Sequence, residues 1–364
     1  MNITFVISTL AKGGSERVTS ILANRFLKGQ YNVTILTLFS SKISYDISPE
    51  VNIISLNQKL FSKEKSFFLK LFQYSKRIFD LGKYFKNKDE NIIVIGSDIL
   101  NATIALSKIL FGFKSKLILT VRSNPQIARN FILREIIYFF YKFSNAIVVQ
   151  SLLNEKFIKY KCPKNKTVVI NNPSALKNDY QNKENIEYDF LSVGRIHPLK
   201  NQLDIVKAIK ILNSEEDKKF NLCIVGRDQG GQKEIIKYIK KHNLEKYIFF
   251  KGEVDDILNI YSKTRFFVHY SNYEGQSNVL IEAQRLGIPT IVSNLPGIDE
   301  MIIHNYNGLI VEGNNSLLLA KQMSELSSSV PLQKEISLNA KKLSEKYDVG
   351  NVFNNWQNLL KGIV

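Results

Sequence analysis

The chain has 364 residues, 44% hydrophobic and 23% charged, with 50 Lys+Arg against 33 Asp+Glu and a formal net charge of +17. That length suits two domains, each able to bury a core, and the composition excludes a mostly disordered polymer. Only two cysteines, Cys162 and Cys223, occur, far apart; they exclude a disulfide scaffold and point to a reduced, cytoplasmic protein.

Short runs rich in Ile, Val, Leu and Phe predict strands at 3–8, 32–38, 92–95, 117–121, 146–149 and 167–170. A second series is predicted at 188–193, 220–225, 247–251, 266–270, 289–292 and 308–311. Helical periodicity fills most of the gaps. Strand alternating with helix predicts parallel sheets covered on both faces, and the alternation runs through twice. The expected architecture is α/β: a first domain at 1–170, a polar linker at 171–187, a second domain at 188–350 and a C-terminal helix at 351–364. No window reaches about 18 uninterrupted apolar residues, so no transmembrane helix is expected. The start lacks a positive leader and cleavage site, so no signal peptide is expected either. CxxC, HExxH and Asp-x-Asp patterns are all absent, and no metal site is indicated.

Lys outnumbers Arg by 40 to 10, which makes each Arg informative, since its planar fork suits phosphate. The first strand runs into Gly13-Gly14-Ser15-Glu16-Arg17. Paired glycines let backbone approach a ligand, and a helix start here, with Ser15 as its expected N-cap, offers N–H groups to an anion. The pattern is not GxGxxG; a plain Gly-rich connection accounts for it equally well. The second domain opens with Val193-Gly194-Arg195-Ile196-His197-Pro198-Leu199-Lys200. Arg195 and Lys200 suit a diphosphate clamp, or are two solvated cations on a Lys-rich surface.

The most specific segment is Tyr273-Glu274-Gly275-Gln276-Ser277-Asn278-Val279-Leu280-Ile281-Glu282-Ala283. Ser277 is the expected N-cap of a helix closed by Gly287. Glu274 then lies in the loop above the helix, and Glu282 about 7 Å down its axis. Helix N–H groups between them suit phosphate, and the carboxylates suit hydroxyls on either side of it. A nucleoside diphosphate sugar has that layout. The plainer alternatives are a loop acid at Glu274 and a surface acid at Glu282 paired with a cation such as Arg285.

In combination, Gly13-Gly14-Ser15-Glu16-Arg17, Gly194-Arg195 with Lys200, and Glu274 with seven residues to Glu282 resemble the signature of retaining glycosyltransferases of family 4. The similarity extends over nearly the whole chain and is strongest from 191 to 308. The resemblance implies a GT-B fold, two Rossmann-like doubly wound domains facing across a cleft, with the C-terminal helix packing back on the first. It implies that Gly13 and Gly14 approach the donor diphosphate, that Arg195 and Lys200 neutralise it as it leaves, and that Glu274 meets donor-sugar hydroxyls. Glu282 would take the ribose hydroxyls, Val254 would border the base, and Gly275, Ser277, Asn278, Val279 and Leu280 would face the phosphates. Such enzymes need no metal and no cofactor beyond the nucleotide sugar, expected here to be UDP-linked.

One departure stands out. All four histidines lie in the second half, whereas many family members place one in the first domain near the reacting sugar. At the corresponding strand end this chain has Val121-Arg122-Ser123-Asn124-Pro125. Arg122 is a candidate contact for donor or acceptor phosphate, or else a surface cation. No general base can be named, and the leaving phosphate is expected to take the acceptor proton. His269 reads as a structural residue at a strand end.

The charge is one-sided. Residues 1–170 hold 26 Lys+Arg and 10 Asp+Glu, and residues 171–364 hold 24 and 23. The basic segments 59–88 and 129–142 are rich in Phe and Tyr. The aromatics are expected to cover the sheet, and the charge to address an anionic membrane rather than nucleic acid. The expected function is transfer of a hexose or N-acetylhexosamine to a polyprenyl-diphosphate-linked or similar lipid-linked glycan in O-antigen or capsule assembly. The protein is expected to lie peripherally on the inner face of the cell membrane. A sugar-nucleotide epimerase of the same architecture and a non-catalytic nucleic-acid or membrane-binding module are the alternatives.

Overall fold

A computed structural model describes residues 1–58, 67–123, 131–176, 185–313 and 315–363, with 67–71 described by their backbone. Part of the basic segment (59–66), residues 124–130 after Arg122 and part of the expected linker (177–184) lie outside the described residues. In chain order the elements are β1 (Asn2–Ile7), α1 (Gly14–Lys28), β2 (Asn32–Thr37), β3 (Asn52–Ser55), α2 (Phe67–Phe85), β4 (Asn91–Val94), α3 (Asp98–Phe111), β5 (Lys116–Val121), α4 (Phe131–Tyr141), β6 (Ala146–Val149), α5 (Leu152–Lys161) and β7 (Lys166–Val169). There follow β8 (Tyr188–Val193), α6 (Gln202–Glu215), β9 (Leu222–Val225), α7 (Gln232–Lys241), β10 (Ile248–Gly252), α8 (Ile257–Ser262), β11 (Thr264–His269), α9 (Asn278–Arg285), β12 (Thr290–Ser293), β13 (Leu309–Val311), α10 (Ser316–Ser328), α11 (Val330–Leu343) and α12 (Val349–Lys361).

The chain forms two compact units, Met1–Ala175 with Tyr347–Val364, and Leu176–Lys346. The stretch expected as a linker is thus divided: Ser174 belongs to the first unit, where its N–H donates to the Tyr347 carbonyl at 2.7 Å. The first unit holds a seven-stranded sheet in the order β3-β2-β1-β4-β5-β6-β7, the second a six-stranded sheet in the order β10-β9-β8-β11-β12-β13. Every pairing is parallel. Both sheets are doubly wound α/β, and the strand order reverses between β1 and β4 in one and between β8 and β11 in the other. Such reversals open a crevice at the strand C-termini where ligands bind.

Alternation of side chains builds the core. Ile3, Phe5 and Ile7 of β1 enter one cluster with α1 residues, while Val6 enters another with Leu81, Leu100 and Ile104 from α2 and α3. The first of these clusters also takes Val352, Phe353, Trp356, Leu359 and Leu360 from α12. The Phe353 ring meets Phe26 edge-on at 5.0 Å between centroids.

Two sequence expectations change. Strand β3 was not anticipated; it is a four-residue edge strand paired to β2, with Asn52 and Ile53 exposed and only Ile53 and Ile54 apolar within it. The aromatics of α4 do not all cover the sheet. Ile137, Tyr138 and Tyr141 are buried, but Phe131, Ile132, Leu133, Ile136 and Phe139, with Phe143 just beyond, are exposed. The buried face is pinned by Tyr141, whose hydroxyl donates to Asp98 at 3.0 Å and accepts from Asn101 at 2.8 Å. No helix among the described residues is long and apolar enough to cross a membrane.

Candidate functional site

In the second unit the candidates gather at the strand reversal. Strand β8 runs into Gly194 and Arg195, and its neighbour β11 into the loop bearing Glu274. Residues 74 positions apart in sequence are therefore brought side by side. Gly194 and Gly226 sit at φ 153° and 147°, and a Cβ on Gly226 would fall 1.9 Å from the Gly194 carbonyl oxygen, so only glycine permits these strand ends to touch. Lys200 follows on a 3-10 turn, Pro198–Lys200, capped by His197. The Asn272 N–H donates to the Leu199 carbonyl at 2.8 Å and ties that turn to the Glu274 loop.

Lys200 Nζ pairs with Glu274 Oε1. The same oxygen accepts from the Ser271 hydroxyl at 3.2 Å and lies 3.1 Å from His269 Nε2. That last contact is close, although the Nε2–H is not aimed squarely at Oε1. Burial pushes the Glu274 carboxyl upward, yet His269 and Lys200 outweigh it and hold the group down to about 2. Glu274 is thus an anion at any physiological pH.

Helix α9 starts where the motif predicts, with Ser277 at the N-cap position, though its hydroxyl makes no capping bond. The N–H groups of Val279 and Leu280 fall in the first turn, which has no acceptors within a helix. Glu282 is not the surface acid of the plainer alternative: it is 3% exposed, with Oε2 3.4 Å from the Tyr261 hydroxyl, which also lies 3.2 Å from the Val279 carbonyl. Arg285 is buried too, and its guanidinium binds the carbonyls of Leu176 (2.8 and 2.5 Å) and Ser344 (3.4 Å), clasping both ends of the unit.

Two candidates stand apart from this cluster. Arg195 is exposed and donates to Gln229 Oε1 at 3.2 Å, on the loop after β9. Val254 is half-buried just beyond β10, at the sheet edge. The strand ends therefore present, in spatial order, Val254, Gln229, Arg195 with Lys200, and Glu274. Ser271 and Tyr261 left no such reading in the sequence, and His269 entered it only as a structural residue at a strand end. A Ser-x-x-Glu spacing at Ser271–Glu274 is the one signal the sequence carries for Ser271.

In the first unit, Gly13 is the N-cap of α1 and the helix begins at Gly14, one position before the expected cap Ser15. Gly13 is extended, at φ −178°, a conformation open to any residue, and a Cβ there would meet only the Glu16 carboxylate, at 2.2 Å, the end of a flexible side chain that can swing aside. The Tyr45 hydroxyl caps both sides of Gly13, accepting from its N–H at 3.0 Å and donating to its carbonyl at 2.9 Å. Glu16 accepts from Thr9 Oγ1 at 3.3 Å. Arg122 emerges at the end of β5, half-buried, with no hydrogen bond or ion pair among the described residues. Burial lowers its guanidinium to about 10 against the opposing pull of Glu16, so it stays cationic at neutral pH.

Residues 176–343, nearly all of the second unit, match the family described as Glycosyl transferases group 1. Over the whole length, the chain is 26% identical to a Campylobacter jejuni GalNAc-alpha-(1->4)-GalNAc-alpha-(1->3)-diNAcBac-PP-undecaprenol alpha-1,4-N-acetyl-D-galactosaminyltransferase, covering 99% of this chain and 98% of that one. It is 31% identical to an Escherichia coli UDP-Gal:alpha-D-GlcNAc-diphosphoundecaprenol alpha-1,3-galactosyltransferase across 39% of this chain and 38% of the other. The crystal structure of Anabaena HepE in complex with UDP and glucose superposes with a TM-score of 0.77 at 16% identity, covering 99% of both chains. With its two parallel sheets the chain has the GT-B fold of these proteins, and its second unit belongs to the group 1 glycosyltransferases.

Proposed function

We propose that the protein is a retaining hexosyltransferase that moves a hexose or N-acetylhexosamine from a UDP-sugar to a polyprenyl-diphosphate-linked glycan. The observation that carries this is the Lys200–Glu274–His269 cluster above the N-terminus of α9, with Glu282 buried one turn below. Lys200 and Arg195 take the diphosphate, the first-turn amides of α9 and the Gly275 loop its oxygens, Glu274 a sugar hydroxyl and Glu282 the ribose. Val254 borders the base. In the first unit Gly13 and Gly14 are the candidates for a diphosphate contact, and Arg122, cationic at neutral pH, for a donor or acceptor phosphate. The anomeric carbon–phosphate oxygen bond breaks as the acceptor oxygen bonds to the same face, and the acceptor proton passes to the leaving phosphate. Fixed cations and helix amides stabilise the charge that develops there, so no divalent cation is required.

Relatives whose names specify UDP-galactose and undecaprenyl-diphosphate glycans support the donor and acceptor classes. The exposed face of α4 supports a membrane-borne acceptor. Ile132, Ile136, Phe139 and Phe143 follow helical spacing on one stripe, in a unit holding 27 Lys+Arg against 11 Asp+Glu. An apolar stripe within a cationic field suits an anionic membrane interface, on which the protein lies peripherally.

The test is incubation with UDP-sugars and a synthetic polyprenyl-diphosphate-linked glycan in the presence of a chelator. Release of UDP with extension of the glycan is expected. Strict metal dependence, or conversion of the sugar nucleotide without an acceptor, would refute the scheme.

A further inference from the structure

Every described contact of the Glu274 carboxylate falls on one oxygen. Lys200, Ser271 and His269 all address Oε1, and no described hydrogen bond or ion pair reaches Oε2. The supporting groups are fixed in turn. His269 closes strand β11 and is 4% exposed; Ser271 is 1% exposed, and its carbonyl accepts from the Ser293 hydroxyl at 2.7 Å, at the end of neighbouring β12. The cradle is therefore built from two adjacent strand ends of a rigid sheet, and it holds one edge of the carboxylate while leaving the other open.

We infer that His269 and Ser271 are positioning residues that fix Glu274 through Oε1 so that Oε2 is presented to a hydroxyl of the donor sugar. This rests on the donor reading given above. A carboxylate oxygen with its partner oxygen saturated can only accept, so the sugar must offer a hydrogen-bond donor there; a carboxylate or a deoxygenated carbon at that position is selected against. The effect is confined to the sugar. UDP carries no hexosyl group and reaches Lys200, the α9 amides and Glu282 without using Oε2.

Titration calorimetry of the full chain with UDP, UDP-N-acetylgalactosamine, UDP-galactose and UDP-glucose tests this, using wild type, Ser271→Ala, His269→Leu and His269→Gln. UDP affinity is expected to stay within twofold of wild type in all variants, which also reports that they are folded. Affinity for the preferred UDP-sugar is expected to fall about tenfold in Ser271→Ala, the scale of one hydrogen bond to a charged group, and to fall in His269→Leu, which removes the Nε2–H lying 3.1 Å from Oε1. His269→Gln, which keeps a side-chain N–H donor, should recover most of the loss. Variants that keep the wild-type ratio of UDP-sugar to UDP affinity overturn the inference while leaving the donor reading intact. Equal losses for UDP and UDP-sugar also overturn it, marking the two residues as structural. A wild-type protein that binds neither UDP nor any of the sugars overturns both.

Discussion

Replacing Phe353 with alanine tests whether α12 completes the core of the first unit. The ring is 4% exposed, meets Phe26 at 5.0 Å and Tyr31 at 6.3 Å, both edge-on, and lies under the Arg25 guanidinium at 4.6 Å. It also fills space that a side chain at Gly29 would occupy, 2.5 Å from the built Cβ. Truncating a phenylalanine so enclosed costs about 3–5 kcal/mol, within which each edge-on aromatic contact accounts for about 0.5–1.5 kcal/mol. The single tryptophan of the chain, Trp356, sits one turn further along α12 and is 3% exposed in the same cluster. Its fluorescence therefore reports unfolding of the first unit, while far-UV circular dichroism follows both. With a urea dependence of about 2 kcal/mol per molar, the tryptophan transition should move about 2 M earlier in Phe353→Ala. A shift under about 0.5 M would refute the reasoning and place the helix outside the cooperative core.

Four further outcomes follow from the site. Lys200→Met should lower turnover of UDP-sugar by about a hundredfold or more, read as UDP release, because it removes a cation aimed at the leaving group; activity within tenfold of wild type would refute that role. Glu282→Ala should weaken UDP binding about tenfold by calorimetry, as expected when a buried carboxylate no longer receives ribose hydroxyls; unchanged affinity would move the ribose elsewhere. Because the Glu274 carboxyl is held at about 2 when folded against 4.5 ordinarily, its stabilising contribution is complete above the unfolded value and is withdrawn as pH falls from about 4.5 towards 2. The stability gap between wild type and Glu274→Gln, from urea melts, should therefore be flat from pH 7 to about 5.5 and narrow below that; a gap independent of pH down to 3 would contradict the ion pairing. Ile132→Ser with Phe139→Ser should reduce flotation with anionic vesicles more than tenfold, since each apolar side chain gains about 1.5–3 kcal/mol on burial; undiminished flotation would leave the α4 stripe without that role.

Strands whose two faces are both buried announce themselves as apolar runs, so β1, β4, β5 and β6 are plain in the sequence. Strand β3 is not, because an edge strand with exposed positions needs no such run. The motifs holding Lys200 and Glu274 are readable one at a time, but their meeting depends on β8 lying beside β11, which spacing along the chain does not encode. His269 reads as structural in the sequence, but its contact with Glu274 lies across a loop whose path only the fold defines. Tyr45, which clamps Gly13 from a polar stretch with no periodicity, left no trace to follow. The exposed face of α4 was hidden by abundance, since a helix apolar all round reads as one that is wholly covered.

The excursion of the chain through Leu176–Lys346 before it returns as α12 has a consequence for synthesis. The second unit is continuous and can close as soon as Lys346 is made. The first cannot: Phe26 and Leu22 have no cover from Phe353 and Trp356 until the whole of the other unit has been translated. At about 5–20 residues per second that interval is roughly 10–35 s. Throughout it, a cationic unit with one apolar face bare waits on the synthesis of the other. The nascent first unit is therefore the species in which ribosome-associated chaperones would find their substrate.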